Sequence, residues 1–147
     1  MCFTENTILI QLRDLIKYII MNNIEIGKIG ENIACQHLLN NKYLILARNH
    51  KERFYEIDII ARHLDGTLVF CEVKTLNYLN NSGDSFFKFM PEDNLSQMKL
   101  RKMIQASNLF LVRHHGLIRG GKGWQIDFIA IVLKNGKLAD LRHYENI

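Results

Sequence analysis

Apolar residues recur along this chain at two spacings, and the switches between them divide it into elements. Ile8, Leu12, Leu15, Ile16, Ile19 and Ile20 follow the three-and-four spacing of one helix face. The stripe returns at Ile29, Ile33, Ala34, His37 and Leu38, which predicts a helix from about Gly27 to a stop at Asn40-Asn41. The pattern then becomes strand-like over Tyr43 to Asn49, Phe54 to Arg62 and Thr67 to Lys74, with Asp65-Gly66 as a hairpin turn. Asn77 to Met90 is polar and then aromatic, and reads as a loop. Pro91 introduces a second helix, Glu92 to Val112, whose acidic start (Glu92, Asp93) and basic later turns complement the helix dipole. A loop with four glycines between Gly116 and Gly123 leads to a closing hairpin, Trp124 to Leu133 and Lys137 to Tyr144, around Asn135-Gly136.

The order helix, three strands, helix, two strands predicts an α/β sandwich, a central mixed sheet with helices on its faces. The chain's 147 residues suffice for one domain with its own core. The pattern divides it into an N-terminal amphipathic extension, residues 1–26, and a domain over 27–147. Met21 is a candidate second start for that domain. The N-terminal stripe is short and carries Arg13, Asp14 and Lys17, so it predicts packing on the domain or a partner subunit rather than in a membrane. The first residues lack the positive region of a signal peptide. Three scattered cysteines form no C-x-x-C pair, which points to a reducing, cytoplasmic setting. Cys71 alternates with Phe70 and Glu72 and is expected in the core.

Charge adds a direction. The net charge is +4, but no Asp or Glu occurs between Ser96 and Lys122, where Lys99, Arg101, Lys102, Arg113, Arg119 and Lys122 fall. A one-sided basic tract suits an anionic polymer, with Lys99, Arg101 and Lys102 as candidate contacts to its phosphates. From charge alone, a solvated basic surface is the preferred reading. His114-His115 lies in the same tract without the fixed geometry of a metal site.

The carboxylates carry the chemistry. Glu56 and Asp58, and likewise Glu72 and Lys74, are two apart on strands rich in Ile, Val and Phe. Charges among apolar neighbours cost several kcal/mol unless compensated, and a divalent metal with an anionic substrate is one compensation. Carboxylate-held Mg²⁺ or Mn²⁺ can activate water and offset phosphate charge, and a nearby lysine adds a compact cation. Asp58, Glu72 and Lys74 are the residue types this needs. Glu56 is secondary, because Lys51 or Arg53 can pair with it. Asp127 reads as a structural group of the late sheet, and His37 as a core or boundary histidine.

Gly27-Lys28-Ile29-Gly30-Glu31, Ala34, Tyr43 to Asn49, Glu56 to Ala61 and Leu68 to Thr75 follow one another in an order that resembles the bacterial YraN family. That family belongs to the restriction-endonuclease-like PD-(D/E)xK superfamily. Lys99 to Met103 and Gln125 to Ala130 continue the likeness. The resemblance implies a restriction-endonuclease-like sandwich with an extra N-terminal helix. It implies Asp58, Glu72 and Lys74 as catalytic residues, with Asp58, Glu72 and the Val73 carbonyl holding Mg²⁺ or Mn²⁺ and Glu31 near by. It also implies a nucleic-acid partner, DNA rather than RNA. Two positions depart from the family pattern: Tyr55 stands where glycine is usual, and Leu76 where arginine is usual. The superfamily includes members without activity, so fold alone leaves catalysis open. Three expectations stand: a metal-dependent nuclease-fold protein, a non-catalytic nucleic-acid-binding module, and an assembly protein using the N-terminal helix and Phe86, Phe87 and Phe89. Homodimerisation is left open.

Overall fold

A computed structural model describes residues 5–53, 55–78, 90–118 and 121–147, with side chains from Asn22 onward. Helix α1 (Glu5–Asn40) leads into β1 (Leu44–Glu52), β2 (Tyr55–Arg62) and β3 (Leu68–Tyr78). A 3-10 turn (Pro91–Asn94), helix α2 (Gln97–Arg113) and a second 3-10 turn (His115–Leu117) follow, then β4 (Trp124–Lys134) and β5 (Lys137–Tyr144). The five strands lie in chain order in one sheet. All neighbours are antiparallel except β3 and β4, which run parallel from Leu68↔Trp124 to Tyr78↔Lys134. A parallel pair requires a crossover, and α2 lies in it. Among the described residues no helix is long and apolar enough to cross a membrane.

The central strands of the sheet are buried on both faces. α1 covers Ile59, Ala61, Val69, Cys71, Val73, Ile129, Ile131 and Leu133 with Ala34, Cys35 and Leu38. α2 covers Ile57, Ile60, Leu68, Phe70 and Ile126 with Met103, Ala106 and Phe110. Double coverage explains why β3 and β4 read as continuous apolar runs rather than alternating ones. Cys71 is fully buried on the side opposite Phe70, as its place in the alternation requires.

Several boundaries differ from the sequence pattern for local reasons. The two expected N-terminal helices are one, because Asn22 to Ile26 contains no proline to break it. Gly30 stays in this helix because α1 crosses β3 closely there: a Cβ on Gly30 would collide with the Thr75 side chain. The second helix starts at Gln97, where the Ser96 hydroxyl accepts a hydrogen bond from Lys99 N at 3.2 Å. Glu92 and Asp93 therefore belong to the preceding turn and not to the dipole of α2. β3 continues to Tyr78 because β4 pairs with it that far. The expected loop from Asn77 thus begins later, and residues 79–89, with Phe86, Phe87 and Phe89, lie outside the described residues. The closing hairpin turns at Asn135 and Gly136, both at positive φ (50° and 74°), the two-residue turn the sequence signals.

One irregularity positions the site. β2 and β3 pair from Arg62↔Leu68 to Ile59↔Cys71, and no further. Ile57 packs on the α2 side and Ile59 on the α1 side although they are two apart, so strict alternation breaks at Asp58. Across on β1, Asn49 takes a left-handed backbone (φ 48°) between the partners of Ile57 and Ile59. Beyond this point β2 and β3 separate, and the gap opens toward α1.

Candidate active site

In that gap Asp58, Glu72, Val73, Lys74 and Thr75 meet Ile26, Gly27 and Glu31 of α1 around a cleft of about 280 Å³. Asp58 holds the point of separation. Its Oδ2 accepts a hydrogen bond from Val73 N at 2.7 Å, which replaces a strand bond that β2 no longer supplies. Glu72 is almost fully buried. Its Oε2 accepts from the Tyr55 hydroxyl at 2.7 Å, and its Oε1 pairs with the Lys99 ammonium. Glu31 lies on the α1 wall, where its Oε2 accepts from Asn49 Nδ2 at 2.9 Å and lies 3.6 Å from Arg48. The left-handed turn at Asn49 belongs to the same support.

The electrostatics follow from this crowding. Burial, then the Glu72 carboxylate and, more weakly, Glu31, push the Asp58 carboxyl up to about 7, against the bond from Val73 N and the Lys99 charge. Burial and the neighbouring Lys99 cation hold the Lys74 ammonium below the usual lysine range, while Glu72 and Asp58 act the other way. Burial and Glu72 raise the Tyr55 phenol far above its ordinary value, so it stays a proton donor to that carboxylate.

The chain thus brings together Asp58, Glu72, Val73, Lys74 and Glu31, the residues expected there. Glu56 is not among them. It is exposed and lies 3.9 Å from Lys51, as the alternative reading held. Lys99, the candidate phosphate contact, reaches inward and pairs with Glu72. Arg101 and Lys102, two and three residues further along α2 and so about 200° and 300° round its axis, are exposed. Sequence reasoning missed Tyr55 and Asn49 as partners of the carboxylates. Tyr55 was conspicuous only as a bulky residue at an unusual position. Asp127 is fully buried and satisfied by Gln125 Nε2 (2.8 Å), Asn146 N (2.9 Å) and His143 Nε2 (2.9 Å), a structural role. His37 contacts His143 at 3.3 Å at the edge of the same network. His114 and His115 are exposed.

Three carboxylates and a peptide carbonyl are hard oxygen donors, the set that Mg²⁺ or Mn²⁺ takes. The raised Asp58 carboxyl marks negative charge that the protein leaves incompletely offset. Among the described residues no three acidic, histidine or cysteine side chains are placed as they stand to hold a metal ion. The Lys99 ammonium stands on one of the donors instead. By chemistry the residues fit a divalent cation, provided that Lys99 gives way.

A mixed five-stranded sheet between helices, with acids and a lysine where two strands part, defines an α/β protein of restriction-endonuclease-like architecture. Residues 30–131 match the model of "Uncharacterised protein family UPF0102". The chain is 34% identical over 117 residues to a UPF0102 protein of Persephonella marina, covering 80% of this chain and 90% of that one. It is 37% identical over 120 residues to a UPF0102 protein of Pseudothermotoga lettingae, covering 82% and 95%. The chain belongs to the UPF0102 family.

Proposed function

We propose that this protein is a divalent-metal-dependent hydrolase of nucleic-acid phosphodiesters, acting on DNA at the cleft between β2 and β3. The observation that carries the reading is the convergence of Asp58, Glu72, Lys74 and Glu31 on one cleft built where the sheet gives up its pairing. In this reading Asp58, Glu72 and the Val73 carbonyl hold Mg²⁺ or Mn²⁺, with Glu31 close by. A cation held there would offset phosphate charge and make an attacking water more acidic. Asp58 lines the cleft with one carboxylate oxygen fixed by Val73 N. Lys74, held below its ordinary basicity, gives up a proton more readily than a surface lysine and can help align the attacking water. Tyr55 fixes the Glu72 carboxylate.

The test is cleavage of labelled single-stranded, duplex and branched DNA with Mn²⁺. Cleavage lost in Asp58→Asn and Lys74→Ala supports the assignment, whereas unchanged cleavage in either variant rejects it. A second reading, a nucleic-acid-binding module without turnover, draws on the Lys99–Glu72 pair, which neutralises a would-be ligand from within the chain. It expects salt-dependent DNA binding with no calorimetric heat on Mn²⁺ addition.

A further inference from the structure

A second cavity, about 490 Å³, lies between the β1–β2 turn and the outer stripe of α2. Its size is that of small-ligand sites, about 300–1,000 Å³. Tyr55 joins it to the carboxylate cleft, because the residue that lines this groove also donates its hydroxyl to Glu72. On α2 the groove is lined by Lys102, Gln105, Leu109, Val112 and Arg113, the three-and-four spacing of one helix face. Leu109 is 41% exposed and Val112 76% exposed, so this apolar stripe has no cover within the described chain. Arg113 donates to both oxygens of buried Glu52, at 3.1 and 2.9 Å, which cancels the one carboxylate that would repel a phosphate there. Lys102 is an exposed cation at the end of the groove nearer to Lys99 and the carboxylates.

We infer that this groove receives an unpaired nucleobase of the strand whose phosphate lies at the carboxylate cleft. The substrate would then be single-stranded or carry a single-stranded tail, not continuous duplex. The inference rests on the nucleic-acid reading above. Bases within a duplex keep their faces stacked and show only their edges, so an apolar groove has nothing to take from them. An unstacked base offers a flat apolar face to Tyr55, Leu109 and Val112, and polar edges to the Gln105 amide. The charge order agrees: Lys102 lines the groove three residues from Lys99, which pairs with Glu72 of the carboxylate cleft, and a phosphate joining the two sites would meet it. From Lys99 to Val112 the helix rises about 20 Å, room for more than one nucleotide.

The test measures anisotropy of labelled single-stranded, blunt-duplex and tailed-duplex DNA with the full chain in EDTA. Val112→Asp and Leu109→Asn, both at exposed positions, are expected to weaken single-stranded and tailed binding about tenfold, with blunt-duplex binding little changed. Lys102→Ala is expected to weaken all three and lower the salt slope by about one. Groove variants that bind like the parent, or that lose blunt duplex equally, overturn the inference. So does a change of oligomeric mass in Val112→Asp without a change in DNA binding, which assigns the groove to a protein contact. Cleavage with Mn²⁺ is read in parallel. Tail binding that depends on Val112 without cleavage keeps the groove and rejects the hydrolase; cleavage indifferent to Leu109 and Val112 does the reverse.

Discussion

Replacing Asp58 by asparagine tests whether the Asp58 carboxylate is held against its burial and the repulsion of Glu72. Asn is isosteric, and its carbonyl oxygen can keep the 2.7 Å bond from Val73 N, so the change removes charge and little else. In the fold the Asp58 carboxyl lies at about 7, against an ordinary 3.8. Because the folded value is the higher one, the native state binds the extra proton. Stability is therefore full below about pH 4, falls as pH rises toward 7, and is flat above. Three units at 1.36 kcal/mol each set a ceiling of about 4 kcal/mol. Water reaching the open cleft reduces this, and about 1–3 kcal/mol is the expected gain of Asp58→Asn at pH 8. Urea denaturation in EDTA across pH 4 to 8.5 measures it. The parent and the variant should converge near pH 4 and separate above pH 6, with the variant the more stable. A variant less stable than the parent at pH 8, or a difference that ignores pH, refutes the electrostatic account. Repeating the pH 8 titration with Mn²⁺ at about 100 times its Kd should return about 2.7 kcal/mol to the parent only.

Gly30→Ala should lower unfolding free energy by about 1–3 kcal/mol, because its methyl meets the Thr75 side chain; an unchanged urea midpoint would show that α1 can shift freely on β3. Lys99→Met removes the cation that a metal must displace from Glu72, and calorimetry should show tighter Mn²⁺ binding, about tenfold for each 1.4 kcal/mol released. Weaker binding in that variant would mean that Lys99 positions Glu72 instead of competing for it. His143→Ala leaves fully buried Asp127 without its imidazole partner and should cost about 3 kcal/mol by denaturant titration; a loss below about 0.5 kcal/mol would show water taking its place.

Most of the fold was legible because its signals are local. The Asp65-Gly66 and Asn135-Gly136 turns, the stripe through Ala34 and Leu38, and the apolar run of Leu68 to Cys71 each specify an element within a few residues. What escaped depends on distance in sequence. Nothing near Lys99 indicates that the Ser96 cap starts α2 so that this lysine faces Glu72. Tyr55 reaches Glu72 only through the packing of β2 against β3, and Asn49 reaches Glu31 only through the packing of β1 under α1. Period-two spacing put Glu56 on one face with Asp58, and Lys51 across on β1 gave it a partner instead. The spacing misleads here because the alternation breaks at Asp58, and a break of register leaves no mark in composition.

The break in pairing and the site are one feature. A sheet that continued to pair β2 with β3 past Ile59↔Cys71 would give Val73 N–H a backbone acceptor and leave no room between the strands. Here the Asp58 side chain takes that donor, so an acceptor is structurally required at the same position where a charge is least welcome. A neutral acceptor could make the same bond without the repulsion. Retaining an acid there, beside Glu72 and Glu31 and against burial, sacrifices stability for charge density. Lys99 offsets part of that density from α2, on a long unbranched side chain with many rotamers. The cleft therefore combines an acid fixed by the backbone, Asp58, with a lysine-paired acid, Glu72. Such a pairing suits a place where an external cation enters and an anionic substrate follows.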